Sequence, residues 1–302
     1  MTYAFRPGRP FTDDFRAIAA EQLTQAVMTL EDRPQGLHEA IHEARKNFKR
    51  LRSLYRLVAA DAPQFQKHEN ARIRDMARNL SIVRDAAALV ENAHYLKAAA
   101  CNEEEERALT HVCERLTTRR DRIAAVETDI EDRVAGTIVN CEQALQALAH
   151  ISFDDRRSKT VARLTKGWRR TLRRAARARE ACGSSTEAYP FHELRKRAQD
   201  YRMHLGLMRE LWPSAMQAKR NETKMLVDAL GHLNDLAVLT QLINEEPGLA
   251  GNSQDQAHLI AAVIARQQTL REDVLSLAAT VFQEQPDDES RTIRLLWLKA
   301  VH

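Results

Sequence analysis

Within eleven residues, the run HEARKNFKRLR from His42 sets one imidazole among five cations: Arg45, Lys46, Lys49, Arg50 and Arg52. At helical spacing His42, Arg45, Lys49, Arg52 and Arg56 share one edge, while Ile41, Phe48, Leu51, Leu54, Tyr55 and Val58 occupy the other side. Such an edge suits phosphate oxygens: guanidinium forks grip them in pairs, ammonium groups add charge, and a protonated imidazole donates from both nitrogens. A looser copy, HELRKRAQDYR, begins at His192 and carries Arg195, Lys196 and Arg202, with Gln199 and Gly206 in the places of Lys49 and Arg56.

A second basic feature lies between the two copies. From Arg156 to Arg179 there are eleven Lys and Arg and no acid, whereas the rest of the chain carries 35 basic against 42 acidic residues. Read as a helix, Arg156, Lys159, Arg163, Lys166, Arg170, Arg173, Arg174 and Arg177 form one stripe, apart from an arc of Val161, Leu164, Trp168 and Leu172. Like charges three and four residues apart oppose helix formation, so a bound polyanion is their simplest compensation.

Other chemistries fit less well. His38-Glu39-Ala40-Ile41-His42 matches H-E-x-x-H, but Arg45 and Phe48 stand where a longer zinc pattern needs glycine and histidine, and the nearby cations oppose a dication. The repeat keeps His42 as His192 but puts Ala188 at the place of His38, so no metal is expected. Glu103 to Glu106 reads as an acidic first turn favoured by the helix dipole. No carboxylate pair, glycine-rich phosphate loop or activated nucleophile stands out, so neither an enzyme nor a cofactor is expected. Nucleic acid is the rival ligand, yet aromatic residues are only 5% and Trp168 lies on the apolar arc, which leaves no platform for stacked bases.

These side chains need helices to position them, and the composition supplies them. Only 17 of 302 residues are Gly or Pro, and the charge is well mixed with apolar residues, which predicts a soluble all-α protein. Helices are expected over 11–31, 37–60, 64–100, 103–149, 156–181, 191–211, 214–244 and 254–283, with a short tail helix to 302. No apolar run reaches membrane length and the start lacks a signal-peptide core, so the expected address is the cytoplasm. Cys101, Cys113, Cys141 and Cys182 are scattered and read as reduced thiols.

An internal repeat organises the whole. At an offset of 150, the 48 positions from His42 to Leu89 hold eleven identities, where chance supplies about three. They include His42/His192, Arg45/Arg195, Lys46/Lys196, Arg52/Arg202, Pro63/Pro213 and Asp85/Asp235, an echo in charged residues that core packing does not require. The expectation is two antiparallel four-helix bundles related by a pseudo-twofold axis: residues 10–150 and 155–285, then a tail at 286–302, all in one domain spanning 1–302.

The pattern H-x-x-R-[KV]-x-x-[KR]-R-x-R at His42 and His192, with LSIVRD ending at Asp85 and LGHLND ending at Asp235, resembles the CHAD family, the conserved histidine α-helical domain. The resemblance implies a basic groove between two bundles that binds inorganic polyphosphate, and association with polyphosphate granules. By motif position it implicates His42, Arg45, Lys49, Arg50, Arg52 and Arg84 in the first half, and His192, Arg195 and Arg202 in the second. Asp85 and Asp235 are expected to orient neighbouring side chains rather than touch the anion. Gln199, Asp200 and Asn234 depart from the basic pattern, which predicts a weaker grip in the second half unless the helix from Arg156 compensates.

Overall fold

The computed structural model describes residues 3–126, 128–185, 187–250 and 252–300; the side chains of 82–85 and of 250 lie outside that description. It is built of helices, with no strand among the described residues: α1 (Phe11–Asp32), α2 (Leu37–Leu57), α3 (Pro63–Asn79), α4 (Ile82–Lys97), α5 (Glu103–Val126), α6 (Ile130–His150), α7 (Arg157–Gly183), α8 (Ala188–Leu207), α9 (Pro213–Glu245), α10 (Ser253–Val281) and α11 (Pro286–Ala300). Short 3₁₀ turns sit at Arg209–Leu211 and Pro247–Ala250.

Local sequence explains the boundaries. Gly36 takes φ 89° immediately before α2, a conformation that other residues adopt at a cost. Pro63 and Pro213, a repeat pair, each open a helix at a position where the missing N–H is no loss. Two expected helices are each divided. The segment 64–100 breaks at Leu80–Ser81, whereas its counterpart α9 runs on unbroken. Asn79 and Ser81 compete with the helix for backbone hydrogen bonds where the second half has Ala229 and Gly231. The freed carbonyls are capped by arginines: Arg45 Nη1 donates to the Ala77 oxygen (2.8 Å) and Arg133 Nη1 to that of Asn79 (3.5 Å). The segment 103–149 breaks between Val126 and Ile130, a turn that Arg133 closes onto Asp129 at 3.0 Å.

α1 packs on α2 and α6, and α7 packs on α8 and α11; α4 packs on α5, as the later part of the chain packs α9 on α10. The first half, expected as four helices and found as six, does not close on itself, because α4 and α5 also contact α9 and α10. The expected tail is a core element: α11 buries Glu289, which accepts from Trp168 Nε1 (3.1 Å) and the Tyr201 hydroxyl (2.8 Å) and lies 3.4 Å from Lys219 Nζ. Burial pushes this carboxyl above its usual range.

The halves also meet where α2 passes α7 and α8. Ser53 Oγ donates to the Asp200 carbonyl (3.3 Å), and His204, wholly buried, donates from Nε2 to the Ser53 carbonyl (3.0 Å). At Gly167 of α7 an added Cβ would lie 2.2 Å from the Leu57 carbonyl oxygen. Gly167→Ala is therefore expected to force the two backbones apart and cost about 1–3 kcal/mol in urea unfolding. Burial holds the His204 imidazole below its ordinary pKa of 6.5, with Asp200 raising it and Arg56 lowering it. The unfolded chain takes up that proton near pH 6.5 and the folded chain does not, so stability present above that pH is lost as it falls. His204→Leu, which copies its counterpart Leu54, should remove a slope of at most about 1.4 kcal/mol per pH unit from urea melts between pH 7 and 5.

Candidate anion-binding site

α7 presents its basic stripe because its other side is committed to the core: Val161, Leu164, Trp168, Leu172 and Ala175 are buried. Its exposed edge forms an open cleft of about 990 Å³ lined by Lys166, Arg169, Arg170, Arg173, Arg174 and Arg177, joined by Arg294 from α11, over a floor that includes Val161, Ala162 and Leu298. Arg170 and Arg174 also line an adjoining pocket of about 310 Å³, completed by Arg56 of α2, Gln66 and Asn70 of α3, and Arg197 and Asp200 of α8. The two cavities make one cationic track passing from α11 along α7 to the meeting point of α2, α3 and α8.

Charges along the track are of two kinds. Some are satisfied within the protein: Arg56 pairs with the buried Asp200 carboxylate at 2.6 Å, Arg197 lies 3.4 Å from it, and Arg169 and Arg173 share the exposed Asp287. The side chains of Lys166, Arg170, Arg174, Arg177 and Arg294, by contrast, form no hydrogen bond or ion pair among the described residues. Arg174 shows the cost, its pKa depressed by burial and then by Arg197 and Arg170. Arg52 is pushed down to about 10 by burial and by Arg56, while its Nε donates to Asn70 Oδ1 at 3.1 Å. Both remain charged at neutral pH.

The structure separates residues that the sequence grouped. Arg163 is a correction: it is only 4% exposed, sandwiched 4.7 Å from the rings of Phe11 and Phe153, with its Nε on Asp61 at 2.7 Å, so it joins α7 to the first half and cannot face a ligand. Helix rotation places it on the buried side with Thr160 and Leu164. Arg156 precedes α7 and pairs with Asp154, and Lys159 lies one turn inside the helix and outside both cavities. Lys46 and Lys196 form matching short-range pairs with Glu43 and Glu193. Arg50 and Arg202 line a separate pocket.

The motif histidines stand apart from the track. His42 lies about 15 Å along α2 from Arg52, in a group with Glu39 and Glu43 whose ligand atoms fall within 4.8 Å of one another. A divalent cation could meet three ligands there, but Lys46 already holds Glu43, and His38 of the H-E-x-x-H match is not in the group. His192 Nδ1 donates to Asn234 Oδ1 (2.7 Å), and the Asn234 amide donates to Asp235 (3.3 Å), so Asp235 is linked to the histidine through Asn234. Arg195 lies against Gly231 of α9, as Arg45 lies against the end of α3. Lys49 lines neither the track nor the pocket of Arg50 and Arg202, and Arg84 and Asp85 fall outside the described side chains.

The CHAD domain profile matches residues 17–244, most of the chain. The chain belongs to the CHAD family. It is also similar to the crystal structure of the CHAD domain from the plant Ricinus communis, with a TM-score of 0.68 and 19% identity over 94% of this chain and 95% of that one. No curated protein matches it. The CHAD profile stops within α9, so α10 and α11, and with them Arg294, lie beyond it. No helix among the described residues is long and apolar enough to cross a membrane.

The buried and open arginines of α7 should respond oppositely to truncation. Arg163→Leu strands Asp61 and is expected to cost about 3 kcal/mol in thermal or urea unfolding. Arg174→Leu removes a repelled cation and should leave the melting temperature unchanged or raise it.

Proposed function

We propose that this protein binds inorganic polyphosphate, without catalysis, along the cationic track of α7, α2, α3, α8 and α11. The observation that carries the reading is the row of cations in an open cleft, Lys166, Arg170, Arg174, Arg177 and Arg294, that lack a partner among the described residues. A thin chain with about one negative charge per unit can supply the missing counter-charge at every step, with release of its counterions adding to affinity. The family to which the chain belongs, and Arg56 of the α2 basic edge at one end of the track, with Arg52 bonded to the lining residue Asn70, support the same ligand. The recurrence of helix pairings at an offset of 150 supports two duplicated bundles about a pseudo-twofold axis, with the track at their junction. In a cell this binding would place the protein in the cytoplasm, on polyphosphate granules.

Arg45 and His192 support the walls in this reading. They hold α2 and α8 against their neighbours at α3 and α9, and the anion meets the arginines one and a half turns or more downstream.

Titration with long-chain polyphosphate, single-stranded DNA and duplex DNA in about 150 mM salt tests the proposal. Polyphosphate should bind far more tightly than either nucleic acid. Arg170→Glu with Arg174→Glu should weaken it by about a hundredfold and flatten the salt dependence, with helicity unchanged. Equal affinity for DNA, or normal polyphosphate binding by the double variant, would sink the assignment.

A further inference from the structure

On another side of the α2–α8 crossing lies a pocket of about 240 Å³ whose cationic lining is Arg50, Arg202, Arg209 and Arg220, with Tyr3 and Gln22 beside them. Its lining repeats that of the Arg56 pocket at the 150-residue offset. Gly206, Arg209 and Arg220 stand at the positions of Arg56, Ala59 and Asn70, and Arg50 stands at the position of Asp200. The exchange reverses the character of the site. In the first pocket Asp200 neutralises Arg56; in the second the equivalent position supplies a further guanidinium, and no carboxylate of the described residues lines the cavity.

The polar groups here are arranged without being satisfied. Arg50 is held by Gln22 Oε1 (3.2 Å) and Asn47 Oδ1 (3.1 Å), its carbonyl accepts from the Tyr3 hydroxyl (2.9 Å), and Arg209 donates sideways to Glu210 (3.0 Å). Arg202 Nε is shielded from solvent with no hydrogen-bond acceptor among the described residues. The Arg220 side chain forms no hydrogen bond or ion pair among them either, and its pKa is depressed by burial and then by Arg202, Arg50 and Arg209. Gly206 keeps the space open: a Cβ there would already sit 3.6 Å from the Tyr3 ring and 3.9 Å from the Arg220 guanidinium, so a side chain as long as that of Arg56 would fill it.

We propose that this pocket is a second, separate subsite for condensed phosphate, one that takes a short linear oligophosphate such as inorganic triphosphate. The proposal rests on the polyphosphate reading above and extends it. Four guanidiniums converging on a small cavity match a compact, multiply charged ligand, whereas the open cleft along α7 suits a passing chain. The Tyr3 hydroxyl is engaged with the Arg50 carbonyl, so the charged groups left to meet a ligand are guanidinium donors, which suit phosphate oxygens.

Calorimetric titration of the full chain with inorganic triphosphate and with long-chain polyphosphate decides the matter, using the native protein, Arg220→Gln and Arg209→Gln with Arg220→Gln. Triphosphate should bind the native chain and lose about tenfold or more in affinity with the single variant, and further with the double. Because Arg220 is repelled by its neighbours, Arg220→Gln should melt no lower than the native chain without ligand, and triphosphate should raise its melting temperature less. An unchanged triphosphate affinity in Arg220→Gln, or a native chain that ignores triphosphate, would overturn the subsite and leave long-chain binding standing. A native chain that fails to bind long-chain polyphosphate would overturn the underlying reading instead.

Discussion

The arrangement depends on a short stretch of buried hydrogen bonding where α2 meets α8. Ser53, Asp200 and His204 join the two halves there through backbone carbonyls, which accept bonds only at a narrow range of separations. Asp200 has two duties: its carbonyl is part of the joint, and its carboxylate is the counter-ion that lets Arg56 lie partly buried within the same contact. Gly167 lets α7 approach α2 closely beside it. A shift of α8 along α2 would thus disturb the interface and the charge balance together, and both arginine-lined cavities take their shape from this one crossing.

Around the joint the protein distributes its arginines by what is set against them. Asp61 and two aromatic faces hold Arg163, Asp200 holds Arg56, and Asp287 holds Arg169 and Arg173 at the rim, where exposed pairs are weak and exchange readily for a stronger anion. Where no acid faces the stripe, the helix tolerates the repulsion because its buried side is well packed. Accumulated positive charge and fold stability therefore oppose each other along α7.

The helical class and the family were legible in the sequence because they rest on many residues at once: few breakers, regular apolar spacing and a charged motif that recurs at one offset. The break at Leu80–Ser81 was not, since it depends on arginines reaching from α2 and α6 to cap freed carbonyls. Arg163 looked like part of the stripe because angular position on a helix does not say how wide the buried face is; Phe11, Asp61 and Phe153 decide that from other elements. Arg294 had no signal of its own, being distant in the chain from every motif. Arg209 and Arg220 carry no repeat signal, unlike Arg52 and its counterpart Arg202, because Ala59 and Asn70 stand at their positions in the other copy.

The bond between Trp168 and Glu289 spans 121 residues, and it fixes when during synthesis α7 can settle. Until α11 leaves the ribosome, the indole of the most basic helix has no acceptor and the groove that receives it is unfinished. Through that interval an arginine-rich, half-apolar segment is exposed close to ribosomal RNA, which is itself a phosphate chain. Late, long-range contacts of this kind slow folding and lengthen exposure to competing partners. The nascent chain thus exposes its cationic helix before its packing partner exists, and the arrival of α11 ends that exposure.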